Sequence, residues 1–252
     1  MSLFNWMGLF ATIALSAPII MLLINRLAWY RSFPALFFYY VLVVGYIIML
    51  LGYVNVGKTF MNRLGVINNL LDAPLMLLFL VYFSKTVFFR RKLILVAVGF
   101  VVFEAIVLAL YGFNSTATTI ILAPGLILVL TISILFFVHQ VKIAVVYHKA
   151  IGKALMVAAL LFAYVGYCFV YVVYYLIQPV YKHDAHLVYF LITICSCIVM
   201  TTGIFMERKR VNQLTEIKTT RRELKAIYGG QEEKPKKMTA PLEAVIINFS
   251  KK

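Results

Sequence analysis

Two acidic side chains stand inside apolar stretches of this chain, Asp72 and Glu104. Around Asp72 lie the residue types from which a ligand or proton site is built. Asn68, Asn69 and Asp72 fall at i, i+1 and i+4, so on a helix turning about 100° per residue they share one arc about 100° wide. Met76 and Phe79 continue the same stripe, giving a face that is polar in one half and apolar in the other. An ionisable group in lipid is costly, so it faces the protein interior, where it marks substrate paths, proton relays or counter-ions. A second set of polar groups is rich in phenols. Tyr164, Tyr167, Tyr171, Tyr174 and Tyr175 recur at helical spacing in a later apolar stretch. A buried phenol needs an acceptor, and a carboxylate is a good one.

Counting along the helices places these groups at one depth. Asp72 lies well past the start of its stretch and Glu104 well before the end of the next. At about 1.5 Å per residue, both are about 10–12 Å below the same boundary. Tyr167 and Tyr171 reach that level, as do Tyr46, Thr193 and Ser196. The expectation is a polar pocket formed by Asn68, Asn69, Asp72, Glu104, Tyr167 and Tyr171. Two carboxyls facing one cavity would share a proton. The structural alternative is interhelical hydrogen bonding at about 1 kcal/mol per group. For Glu104 that use, or a lipid-edge place, is the commoner one, and for a tyrosine stripe core packing is.

Other combinations are weaker. His183-Asp184-Ala185-His186 has ligand types for a divalent metal, but so short a cluster reads as a solvated loop, and no metal is expected. Cys195 and Cys197 point about 200° apart on a helix and read as small packing residues. His139 has no second histidine inside a helix with which to hold haem. The chain has no Walker loop, nucleophile elbow or Gly-rich dinucleotide turn. No nucleophile–base pair can be assembled either, so neither an enzyme nor a cofactor is expected.

The elements that must position the pocket are membrane spans. Apolar residues make up 63% of the 252-residue chain and charged residues 13%, a balance foreign to soluble domains. Seven stretches have the roughly 20 apolar residues a span needs: about Leu3–Ile24, Phe33–Tyr53, Leu64–Ser84, Leu93–Tyr111, Thr118–His139, Ala154–Ile177 and Leu187–Met206. Separate apolar segments satisfy their backbone in lipid only as helices. The fold class is therefore all-α, a polytopic bundle of seven transmembrane helices. Pro18, Pro74 and Pro124 fall inside spans and are expected to kink them. The first stretch has no basic residues before it and reads as a retained span, not a signal peptide.

Loop charge gives the orientation. The joins after spans one, three and five hold Arg26 and Arg31; Lys85, Arg90, Arg91 and Lys92; and Lys142, Lys149 and Lys153. The alternate joins hold Lys58 and Arg63, then no basic residue, then Lys182 alone. The positive-inside rule puts the N-terminus outside and the C-terminus in the cytoplasm, in the inner (plasma) membrane.

The net charge of +15 therefore reflects a membrane flank, not a nucleic-acid surface. Residues 1–206 form the expected transmembrane domain and 207–252 a basic cytoplasmic tail. The tail is helical to about Tyr228, with Val211, Leu214, Ile217, Leu224 and Ile227 as a stripe, and flexible after Gly229-Gly230. Ala244–Phe249 is a short apolar run near its end. Arg208, Lys209, Arg210, Lys218, Arg221, Arg222 and Lys225 suit anionic inner-leaflet lipids, or else a cytoplasmic protein partner.

Asp72-Ala-Pro-Leu-Met-Leu-Leu78, within seven spans and an outside N-terminus, resembles the microbial rhodopsin plan, whose third helix carries a Thr-Thr-Pro-Leu-Leu-Leu-Leu stretch. The resemblance implies a seven-helix bundle. The family binds retinal through a lysine in helix seven, and Leu187–Met206 has none. Its counter-ion position, six before the proline, is Asn68 here, so no retinal is expected. The layout as a whole is similar to uncharacterised seven-pass integral membrane proteins of bacteria. These share a basic first loop, an Asn-containing start to span three and a basic end to span seven, and the resemblance implies no activity. Together these features predict a receptor-like or sensory module read out through helix seven and the tail. A small-solute or proton-coupled transporter using the same acids is the first alternative, and a non-catalytic membrane assembly protein the second. The lack of an inverted repeat counts against the transporter.

Overall fold

The computed structural model describes residues 3–54, 56–84, 86–147, 150–176 and 182–228. They form seven helices: α1 Leu3–Ile24, α2 Phe33–Leu50, α3 Lys58–Leu80, α4 Val87–Tyr111, α5 Ser115–Tyr147, α6 Ile151–Tyr171 and α7 Lys182–Tyr228. No strand occurs among the described residues. Each predicted span corresponds to one helix, and seven helices are long and apolar enough to cross a membrane. Several helices run past their apolar stretch, because polar residues at a helix end still gain its backbone hydrogen bonds. α4 starts at Val87 and takes in Arg90, Arg91 and Lys92, with the Thr86 hydroxyl accepting from the Phe89 N–H at 3.3 Å. Pro18, Pro74 and Pro124 lie within α1, α3 and α5. α3 closes in a 3₁₀ turn at Val81–Phe83, and α6 passes into a π-helical turn at Val172–Leu176.

Large apolar side chains face outward on every helix, which water would not tolerate and lipid rewards. On α4, Leu95, Val98, Val102, Ile106 and Leu110 are exposed, Leu95 and Leu110 by 74% each. The opposite face of α4, at alternating steps of four and three, is the buried seam Leu93, Ala97, Phe100, Glu104 and Val107. α3 is central, packing against α2, α4 and α5. One face of its second half, with Ala73, Met76, Leu77, Phe79 and Leu80, is buried and joins an aromatic cluster: Phe33 lies 5.7 Å from Phe79 and 4.9 Å from Tyr82, and Phe83 lies 6.0 Å from Phe136.

α6 and α7 cross at glycines. A Cβ on Gly152 would come within 2.6 Å of the Glu207 backbone nitrogen, and one on Gly203 within 2.7 Å of Met156 Cγ. Each glycine thus admits the other helix's backbone, the small-residue packing by which helices associate in lipid.

Contacts divide the chain between Arg210 and Val211. The first unit is the bundle, so Glu207, Arg208 and Arg210, expected to open the tail, belong with the body. Within the second unit the helix runs to Tyr228, with Ile217 and Leu224 exposed. The expected flexible end from Gly229 onward, Ala244–Phe249 included, lies outside the described residues.

Candidate functional site

Polar groups inside the bundle gather at its two ends. Where α2 stops and α3 starts, five helices enclose a cavity of about 230 Å³. α2 contributes Tyr39, Val43 and Tyr46; α3 contributes Asn68, Asn69 and Asp72; α5 contributes Leu122 and Leu126. α6 adds Tyr167 and Tyr171, the turn after it adds Tyr174, and α7 adds His186, Tyr189 and Phe190. These positions share a wall because helical spacing keeps i, i+3, i+4 and i+7 on one face. The π turn that follows Tyr171 includes Tyr174, and such turns recur at functional sites.

Asp72 lines the cavity and is half-buried. The Tyr164 hydroxyl donates to its Oδ1 at 3.1 Å, and Tyr39 lines the same cavity. The other phenols are also tied down. Tyr167 shares a hydrogen bond of 3.3 Å with the Thr193 hydroxyl, and Tyr171 donates to the Thr119 carbonyl at 3.2 Å. Tyr167 and Tyr189 have ring centroids 5.4 Å apart, and Tyr174 meets His186 edge-on at 5.3 Å. The rings are thus fixed as walls, with a carboxylate at the border they share.

Of the six residues expected to form a pocket, the structure brings together Asn68, Asn69, Asp72, Tyr167 and Tyr171. Glu104 is not among the residues lining the cavity. It lies within electrostatic reach of Asp72, but on the buried seam of α4. There it is 6% exposed, and its Oε1 has no hydrogen-bond partner. The expected shared cavity for two carboxyls is corrected accordingly: depth follows from residue count, whereas facing depends on how each helix is rotated.

His186, expected in a solvated loop, stands within α7 and lines the cavity. The side chain of its neighbour His183 lies outside the described residues, as does that of Tyr175. Among the described residues no three His, Cys, Asp or Glu side chains converge as metal ligands would. Cys195 is exposed and Cys197 buried.

At the opposite end is a cluster that sequence reasoning missed. Glu207 is fully buried, and its Oε1 accepts the Tyr82 hydroxyl at 2.5 Å and Arg210 Nε and Nη2 at 3.0 and 2.5 Å. Its Oε2 has no hydrogen-bond partner. Lys153 Nζ sits over the Tyr82 ring, 4.2 Å from the centroid. Arg208 donates to Asn25 Oδ1 at 2.6 Å. Two of the basic residues assigned to lipid headgroups are thus bonded within the bundle. Gln140, 2% exposed, donates to the Phe83 carbonyl at 3.5 Å. Tyr39, Tyr189 and Glu207 also escaped notice. The α2 tyrosines Tyr39 and Tyr46, seven apart, carried a usable signal; Glu207 was hidden by the basic run that follows it.

Fold and cavity define a class: an all-α chain whose seven apolar helices suit a bilayer, as in multi-pass membrane proteins. No protein-family model, curated protein or solved structure matches it.

Proposed function

We propose that the chain is a receptor-like or sensory module of the inner (plasma) membrane, with its N-terminus outside and its C-terminus in the cytoplasm. On this reading it is one of the seven-pass bacterial membrane proteins that its layout resembles. The orientation rests on the basic joins after spans one, three and five. It places the cavity on the non-cytoplasmic side, reachable by an external ligand. The observation that carries the reading is the convergence of Asn68, Asn69 and Asp72 from α3 and of Tyr167 and Tyr171 from α6 on one cavity. Intramembrane carboxylates at such cavities serve ligands and protons. Occupancy is read out through α7 and the basic tail, whose Lys209, Arg221 and Arg222 are exposed and face anionic inner-leaflet lipid or a cytoplasmic protein.

The test uses the full chain in lipid vesicles with Cys168, Cys195 and Cys197 replaced by serine and a reporter thiol at Thr219→Cys. Leu126→Trp fills the cavity, and Asp72→Asn removes its charge. The expected result is a change of about twofold or more in the maleimide labelling rate at position 219 in both variants, with no solute or proton flux. Identical labelling in all forms would end the receptor reading. The transporter reading is favoured by one observation, the second acid Glu104 within electrostatic reach of Asp72. Proton flux in the same vesicles that disappears in Asp72→Asn would establish it instead.

A further inference from the structure

Resting on the reading of the cavity as a ligand site, we infer that its ligand is a small organic cation of the alkylammonium kind. Six of the lining residues are tyrosines, Tyr39, Tyr46, Tyr167, Tyr171, Tyr174 and Tyr189, and one is a carboxylate, Asp72; among the described residues no lysine or arginine lines the cavity. A phenol ring carries a negative π face, and a cation over such a face is attracted by the ring quadrupole. The attraction strengthens when the cation is desolvated, as it is in an apolar bundle. Asp72 supplies the compensating full charge. His186, the other titratable group at the cavity that is neither acid nor phenol, is packed edge-on against Tyr174.

The competing ligand classes fit less well. An anion would meet Asp72, with no lysine or arginine among the described lining residues to receive it. A neutral solute would leave the Asp72 carboxylate with its Tyr164 hydrogen bond but no counter-charge, a costly arrangement inside an apolar bundle. A bare metal ion needs several convergent oxygen or nitrogen ligands, and among the described residues no three His, Cys, Asp or Glu side chains converge here. Size sets a further limit. Pockets for drug-sized ligands run from about 300 Å³ upward, so about 230 Å³ suits a compact head group with a short chain. Of the lining tyrosines, Tyr167 and Tyr171 have hydroxyls bonded to protein partners. These residues therefore present rings rather than free donors, which favours recognition by π face over hydrogen bonding to a polyol.

The experiment compares three molecules of one shape on the full chain in detergent, by calorimetric titration: choline, its neutral analogue 3,3-dimethylbutan-1-ol, and the anion 3,3-dimethylbutyrate. Choline is expected to bind at least about tenfold more tightly than the alcohol, and the anion not at all. Asp72→Asn is expected to weaken choline at least about tenfold and leave the alcohol unchanged. Should that variant fail to fold, Tyr189→Phe, which keeps the ring, is expected to preserve choline binding, and Tyr189→Leu to weaken it. Equal binding of choline and alcohol overturns the inference and leaves the cavity a ligand site of another class. Binding by none of the three also overturns it. The receptor reading is then decided separately, by the labelling of Leu126→Trp, which needs no ligand.

Discussion

Replacing Glu207 by methionine is expected to destabilise the bundle more than replacing Glu207 and Tyr82 together. Glu207→Met keeps much of the side-chain volume but removes the acceptor for the Tyr82 hydroxyl, now at 2.5 Å, and for two Arg210 N–H groups. Tyr82 is only 6% exposed, so its hydroxyl is orphaned, at a cost of about 1–3 kcal/mol. The Arg210 side chain is 33% exposed and recovers water, so its share falls in the surface-pair range of about 0–1 kcal/mol. The single substitution should therefore cost about 2 kcal/mol. Tyr82→Phe in the same chain removes the orphan, and apolar replacement of a buried polar pair is often close to neutral. The double variant should regain most of the loss. The coupling energy should fall between about 1 and 1.7 kcal/mol, the upper part of the range for polar pairs in helical membrane proteins. A double-mutant cycle of Tyr82→Phe and Glu207→Met, measured by denaturant unfolding in micelles with Trp6 and Trp29 as probes, gives this number directly. A double variant as unstable as the sum of its parts would show that the Tyr82–Glu207 contact carries no energy, and the account of this end of the bundle would fail.

Three further outcomes follow. Gly203→Ala places a Cβ 2.7 Å from Met156 Cγ and should cost about 1–3 kcal/mol by overpacking, whereas Gly45→Ala and Gly99→Ala, with nothing within 4 Å, should stabilise by about 0.5–1 kcal/mol; unfolding midpoints distinguish them. Glu104→Gln should leave choline affinity within about twofold of the parent, since Glu104 does not line the cavity, and titration beside Asp72→Asn checks this. Membrane-impermeant thiol reagents on intact cells should modify Asn114→Cys and spare Arg90→Cys; the reverse pattern overturns the orientation.

What was legible in the sequence, and what was not, divides along physical lines. Span number and approximate limits were legible because a bilayer imposes a length and an apolar composition on each helix separately. The shared face of Asn68, Asn69 and Asp72 was legible for the same kind of reason, since a single helix fixes it. Whatever depends on two helices was not. Glu104 sits on a four-and-three seam with Leu93, Ala97, Phe100 and Val107, a periodicity readable in advance, but nothing local says which neighbour that seam meets. Glu207 was read as the first residue of a polar tail because Arg208, Lys209 and Arg210 follow it. Its burial depends on Gly152 and Gly203 letting α6 and α7 close up, a contact between residues far apart in the chain. The tyrosine stripe was legible as a stripe; its role as cavity wall appeared only once α2 and α7 stood opposite.

The polar pairs in this bundle also set its register. Lipid tails are as apolar as the helix surfaces, so burial alone gives little reason for one helix rotation over another. Glycine crossings let helices approach, and specific hydrogen bonds then select a rotation. Tyr164–Asp72 links residues 92 apart, Tyr82–Glu207 125 apart, and Arg208–Asn25 183 apart. The first two pairs both hold α3, to α6 at the cavity end and to α7 at the other. Rotating α3 by one residue turns its face by about 100°, withdrawing Asp72 from Tyr164 and Tyr82 from Glu207 together. Facing lipid, Asp72 alone would cost about 2.5–3.5 kcal/mol near mid-membrane. A carboxylate that a ligand site requires is thus also a group that fixes which face of α3 meets the cavity. Asp72→Asn, which keeps an acceptor for Tyr164, is accordingly the substitution that separates the two roles.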